Sequence, residues 1–239
     1  MMPVLRQTLR LRFLAAVLVV SVGAPGCGGS SKVAGSASSV AQVGATPIPR
    51  AMFDHWMAIT VALRSLPAPG QATVRRTAPD PPSFERCVAS RRSANPKTKF
   101  TTEQLKAACE HQYEELKPVV LRFLISAYWR HGEAQEQAIV VTDAEAERQL
   151  TIRVKRQYPT PGAFQRFLAS SDQTMADVLF ATQSQIIGKK LEQQVAAGHP
   201  DRKARQIALA AFAHAYDQKW KGRTTCSAGF VVPQCKHQN

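Results

Sequence analysis

Leu105, Cys109, Tyr113, Leu116, Val120 and Leu124 recur every three or four residues, which puts all six on one face of a helix. "TTEQ" at 101–104 opens that run as a capping box, with Thr101 placed to cap and Gln104 to reciprocate. Pro118 lies inside it, lacks an amide N–H and crowds the preceding turn, so a kink or two abutting helices are expected there. A segment this long and this periodic commits the chain to a mainly helical fold.

The rest of the sequence repeats the theme in shorter pieces. Met52, Trp56, Ile59, Leu63 and Leu66 form a stripe that ends at Pro67 and Pro69. Residues 67–82 carry five prolines and read as loop, followed by a short helix over 83–92 through Cys87. Thr142 to Glu145 caps a helix of about 14 residues that stops before "YPTPG". Asp143, Glu145 and Glu147 there suit the helix dipole. Phe164, Phe167 and Leu168 mark a short amphipathic helix, and Thr174 to Asp177 caps another, with Phe180, Ile187, Leu191 and Val195 in file. "AAGHPD" at 196–201 breaks it, and a last helix over 202–221 carries Ile207, Ala211, Phe212, His214, Tyr216 and Trp220. No internal repeat is present.

The N-terminus reads as an export signal. Arg6, Arg10 and Arg12 precede the apolar run Phe13–Val22, which is too short to span a bilayer and of the length of a signal-peptide core. Ala24, Gly26 and Cys27 then resemble a lipobox, so the expected organisation is a signal peptide over 1–26, lipidation at Cys27, a small-residue tether over 27–39 and a helical domain over 40–239. Localisation is expected to be extracytoplasmic, anchored to the cell membrane. Removing residues 1–26 takes away three arginines and no acid, lowering the formal charge from +14 to +11. A basic exported chain meets lipid headgroups, anionic polymers or acidic chains rather than nucleic acid.

Cys87, Cys109, Cys226 and Cys235 form an even set that allows three pairings and should be oxidised outside the cytosol. The local pairing, Cys87–Cys109 with Cys226–Cys235, is expected, because Cys109 lies on the buried stripe within reach of the preceding helix. The last two cysteines would then close a small C-terminal hook. Zinc is the weaker reading: His111 and His237 have no ligand spacing and no C-x-x-C occurs. No nucleophile elbow, H-E-x-x-H, phosphate loop or dinucleotide fingerprint is present, and neither a cofactor nor a catalytic residue is expected. His55 and His214 read as edge packing residues; His131 and His199 read as helix-end residues favoured by the dipole.

The opening of the domain resembles that of SurA/PrsA-type foldases: a short strand with Val40 and Val43, a turn at Gly44, then Ile48 and Phe53 as I-x-x-x-x-F. Val40–Val43 is expected to pair with an element outside this stretch. Pro49 stands where the family keeps a hydroxyl cap, so the cap is expected from Thr46. "EAQEQAIVVTDAE" at 133–145 is similar to the family's E-A-x-x-x-x-I-x-V-[ST]-D-x-E. Residues 164–178 are similar to F-x-x-x-L-x-x-x-x-x-T-x-x-D-L, with Val178 for leucine, and W-x-x-x-T-x-C ends the last helix. The resemblance covers about 40–235 and implies a chaperone body that binds unfolded or secreted polypeptides in an apolar concavity. Met52, Trp56, Met57 and Met175 are the client-facing side chains it would present. Parvulin-bearing relatives insert their prolyl-isomerase module before the last helix; here about a dozen residues, "VAAGHPDRKAR", occupy that junction. Isomerase activity therefore follows from family association alone, and an adaptor lipoprotein with one specific partner is the third reading.

Overall fold

The computed structural model describes residues 39–66 and 77–236. All belong to one unit, Gly35–Asn239; the expected signal peptide, Cys27 and most of the expected tether lie outside the described residues. Among the described residues, seven helices and a three-stranded sheet follow in the order β1 (Ser39–Val43), β2 (Thr46–Pro49), α1 (Arg50–Arg64), α2 (Glu85–Ala94), α3 (Thr102–Glu136), α4 (Asp143–Gln157), α5 (Ala163–Ser170), α6 (Met175–Ala197), α7 (Arg202–Gly222) and β3 (Thr224–Cys226).

The central element is α3. Its stripe from Leu105 to Leu124 is buried at every position named above. Thr101 and Gln104 close the capping box in both directions. The expected break at Pro118 does not divide it: one helix of 35 residues runs through the proline. Leu116, Val120, Leu121 and Leu124 are each at most 1% exposed on either side of Pro118, and this packing holds the helix together where one backbone hydrogen bond is missing.

The strand at the start of the domain pairs on both sides. β1 meets β2 through the two-residue turn Gly44–Ala45, where Gly44 takes φ +56°, a conformation glycine adopts without a Cβ penalty. Its other edge pairs antiparallel with β3, aligning Val43 with Thr224 and Ala41 with Cys226. The expected remote partner is thus β3, but a local partner exists as well. The hook that follows is tied down by Ser227, which donates to the Ser39 carbonyl at 2.8 Å. Cys226–Cys235 closes it, and Cys87–Cys109 joins α2 to α3.

Helix α1 corrects two expectations. Thr46 is in β2 and does not cap it; Pro49 occupies the N-cap without any side-chain cap hydrogen bond. Its buried face also differs from the stripe read in the sequence. Phe53, Trp56, Met57, Ile59 and Val61 are buried, while Leu63 is 39% exposed. The sheet, the hook and α3 enclose α1 over more than one face, so no single stripe describes it.

Candidate functional site

Past Leu124, the part of α3 that continues and flanks the buried stripe carries Tyr128, His131, Gly132, Gln135 and Glu136, at i, i+3, i+4, i+7 and i+8. These residues form one wall of a cleft of about 900 Å³. The β1–β2 turn (Val43–Thr46), Phe180 of α6, and Trp220 and Arg223 at the end of α7 complete it. The size is that of a binding site for several side chains or one small molecule.

The end of α7 is locked into place from below. Glu133, 4% exposed, accepts hydrogen bonds from Trp220 Nε1 at 2.5 Å, Lys219 Nζ at 2.7 Å and Gln137 Nε2 at 2.6 Å. Burial opposes its ionisation, but the bonds from Lys219, Trp220 and Gln137 outweigh burial and hold its carboxyl below the usual range. Residue 132 has to be glycine for this arrangement, because a Cβ there would lie 2.2 Å from Trp220 Cη2. At the rim, Lys219 and Arg223 both donate to Glu136 and lower its pKa. Trp129 Nε1 donates to Thr224 Oγ1 at 2.7 Å, which ties the start of β3 to α3.

Aromatic contacts connect the cleft to the core. Phe180 lies nearly parallel to the His131 ring at 5.7 Å and contacts Trp56 at 5.9 Å and Phe123 at 6.4 Å. Tyr128 donates its hydroxyl to Met52 Sδ at 3.3 Å, and burial raises its pKa. His131 Nε2 is buried without a hydrogen-bond partner, and burial lowers the imidazole pKa. A neutral ring stacked on Phe180 replaces the expected cationic helix-end role.

This has a consequence for pH. Because burial depresses the folded-state pKa, His131 contributes nothing above its ordinary value, where both folded and unfolded chains are neutral. Below that value the unfolded chain takes the proton first, so stability falls. Arg223 and Glu136, already paired with each other, are the charges on the cleft. The wild type should lose more urea resistance between pH 7 and pH 5 than His131→Phe, which keeps the ring contact and removes the unpaired nitrogen. An equal loss in both chains would contradict this.

The residues expected to face a client are dispersed. Trp56 and Met57 are 7% and 2% exposed and belong to the main core, so the sequence expectation is corrected for both: their helix is enclosed. Met52 is half-buried behind Tyr128, adjoining the cleft wall. Met175, the first residue of α6, is 47% exposed. His55 bonds Asp177 Oδ1 at 2.7 Å, joining α1 to the start of α6 rather than only packing at an edge. Burial opposes ionisation of Asp177, yet the Thr174 and His55 hydrogen bonds lower its pKa.

Glu133 and Glu136 are occupied by cations, and the described residues contain no cluster of three His, Cys, Asp or Glu fit for a metal ion. The sheet is poorly suited to adding a strand. Its outer strand β2 carries Pro47 and Pro49, which have no amide N–H, and on the far side Thr224 O accepts from Lys236 N. Among the described residues no helix is long and apolar enough to cross a membrane. No protein-family model, curated protein or solved structure matches this chain.

Proposed function

We propose that this chain is a lipid-anchored, extracytoplasmic chaperone of the foldase type that holds unfolded or exported polypeptides without isomerising them. The observation that carries the reading is the aromatic cleft: Tyr128, Phe180 and Trp220 converge from three helices around about 900 Å³, with an ion pair on the rim. Rings of this kind engage apolar side chains without demanding one sequence, as a promiscuous holdase requires. The half-buried Met52 behind Tyr128 adds an adaptable neighbour. Against an enzyme, only Gly198–Asp201 separate α6 from α7, the junction at which relatives with a catalytic module carry it. Attachment through an acylated Cys27 would hold the cleft near the membrane where exported chains emerge.

Two measurements test this. The protein at micromolar concentration should delay aggregation of several unrelated unfolded proteins, and the double variant Tyr128→Ala/Phe180→Ala should lose most of that effect while retaining its helical circular dichroism. Failure of the wild type to delay aggregation, together with recovery of one stoichiometric partner in a pull-down, would replace the chaperone with an adaptor. Mass spectrometry of the membrane fraction should find acylated Cys27 at the N-terminus; an unmodified later start would remove the anchor.

A further inference from the structure

The outer face of α4 sets an exposed aliphatic side chain among cations. Its inner face places Ala146 and Leu150 against α6, where Leu150 packs with Phe164 and Val178. On the outer face Ile152 is 59% exposed. Arg148, Lys155 and Arg156 stand four before, three after and four after it, so all three surround the isoleucine on one helical surface. All three are exposed, and none has an ion-pair or hydrogen-bond partner among the described residues.

No acid lies between Arg148 and Ser171, whereas five cations do. Two of those five are engaged: Arg153 donates to Thr182 and Gln185, and Arg166 to the Pro161 carbonyl. The acids of α4 are at its other end, where Asp143 accepts from Gln183 and Glu145 pairs with Lys190. Glu147 is adjacent to Arg148 in sequence but about 100° round the helix from it.

We propose that this face of α4 docks on an anionic phospholipid surface, with Arg148, Lys155 and Arg156 on the headgroup phosphates and Ile152 in the apolar layer just beneath. A membrane interface offers negative charge above hydrocarbon, which is the arrangement that three cations around one exposed aliphatic side chain complement. An acidic peptide would satisfy the cations and leave Ile152 in water. The surface is independent of the chaperone reading and of acylation at Cys27.

The test uses the full chain with Cys27→Ser, so that no acyl group contributes, and with Ile152→Cys carrying a polarity-sensitive fluorophore. The other cysteines are held in disulfides. The probe should brighten with phosphatidylglycerol–phosphatidylcholine vesicles and stay dim with phosphatidylcholine alone. Neutralising the three cations (Arg148→Gln, Lys155→Gln, Arg156→Gln) should raise the lipid concentration needed by about a hundredfold, at about fivefold per cation. Circular dichroism confirms that the variant stays folded. Residues 1–26 are common to every arm, and the reporter reads the α4 surface directly. A probe that stays dim with anionic vesicles, or brightens equally with the neutralised chain, would overturn the proposal. Stronger brightening with polyglutamate than with vesicles would also overturn it, in favour of an acidic protein partner.

Discussion

Glu133→Ala should lower folding stability by about 3 kcal/mol, the cost of removing one member of a buried charged network. The carboxylate is 4% exposed and accepts three hydrogen bonds, two of them from α7. Its loss strands Trp220 Nε1 in a site that is closed on one side by the Gly132 backbone. Lys219 is less affected, because Glu136 still accepts from it at 2.6 Å. That second partner keeps the cost at the lower end of the range for broken buried pairs. Glu133→Gln can place its amide oxygen where Oε2 accepts from both Trp220 and Lys219, without the negative charge, so it should cost less than alanine. Urea unfolding followed by tryptophan fluorescence gives both values; a loss below about 1 kcal/mol for alanine would show that α7 is held mainly by ring packing. The pH dependence has the sign of a depressed carboxyl. Its contribution is complete above the ordinary glutamate pKa and disappears as pH falls through the lowered folded value, so acid should mimic the substitution.

The fate of Glu133 also shows where sequence reading stops. The α3 stripe, the capping box at Thr101, the caps at Thr142 and Thr174, and the helix breaks at 158–162 and 196–201 were legible because each is fixed by residues within a few positions of one another, although Thr142 caps without the reciprocal bond of a box. The local disulfide pairing belongs to the same class. Glu133 was legible only as the first residue of the family-like segment "EAQEQAIVVTDAE", and nothing local marks it as the acceptor for a tryptophan 87 residues away. The β1–β3 pairing is equally remote, since its strands have almost the whole domain between them.

The cleft sits between these cases. Its α3 wall continues the buried stripe, since Tyr128 stands four after Leu124, so following that stripe past residue 124 would have found it. That Phe180 and Trp220 face this stripe depends on how α6 and α7 return, which no local pattern encodes. On α1 the reading failed for the opposite reason: a single stripe was assumed for a helix that is enclosed on several sides, and the foldase resemblance, not the stripe, assigned Trp56 and Met57 to a client although both are in the core. The cationic face of α4 was fully present in the sequence as a stretch without acids. What the structure adds is that Ile152 lies outward among the charges.

Removing the Cys87–Cys109 bridge should also cost about 3 kcal/mol, and its effect should concentrate on α2. The bond closes a loop with sequence separation 22, and in the chain-entropy model opening a loop of that size gives back about this much freedom to the unfolded chain. The folded side of the balance is weak locally. α2 has ten residues, too few to be stable alone, and buries only Cys87 and Val88 within its span. Its other attachments are Asp80, which accepts from the amides of Arg86 and Cys87 at 3.0 Å each, the Phe84 ring against Tyr113, and Arg91 donating to Gln112 at 2.8 Å. Cys87→Ser/Cys109→Ser should therefore shift the urea midpoint and, under native conditions, open α2 to trypsin at Arg91 and Arg92 while α3 resists. The Cys226–Cys235 bridge spans only 9 residues, so its removal should cost less globally. Unchanged cleavage at Arg91 in the double serine variant would mean that Asp80 and Gln112 hold α2 without the covalent link. A larger loss from opening the hook would mean that pairing of β1 with β3, rather than closure of the α2–α3 loop, is the element on which the domain depends.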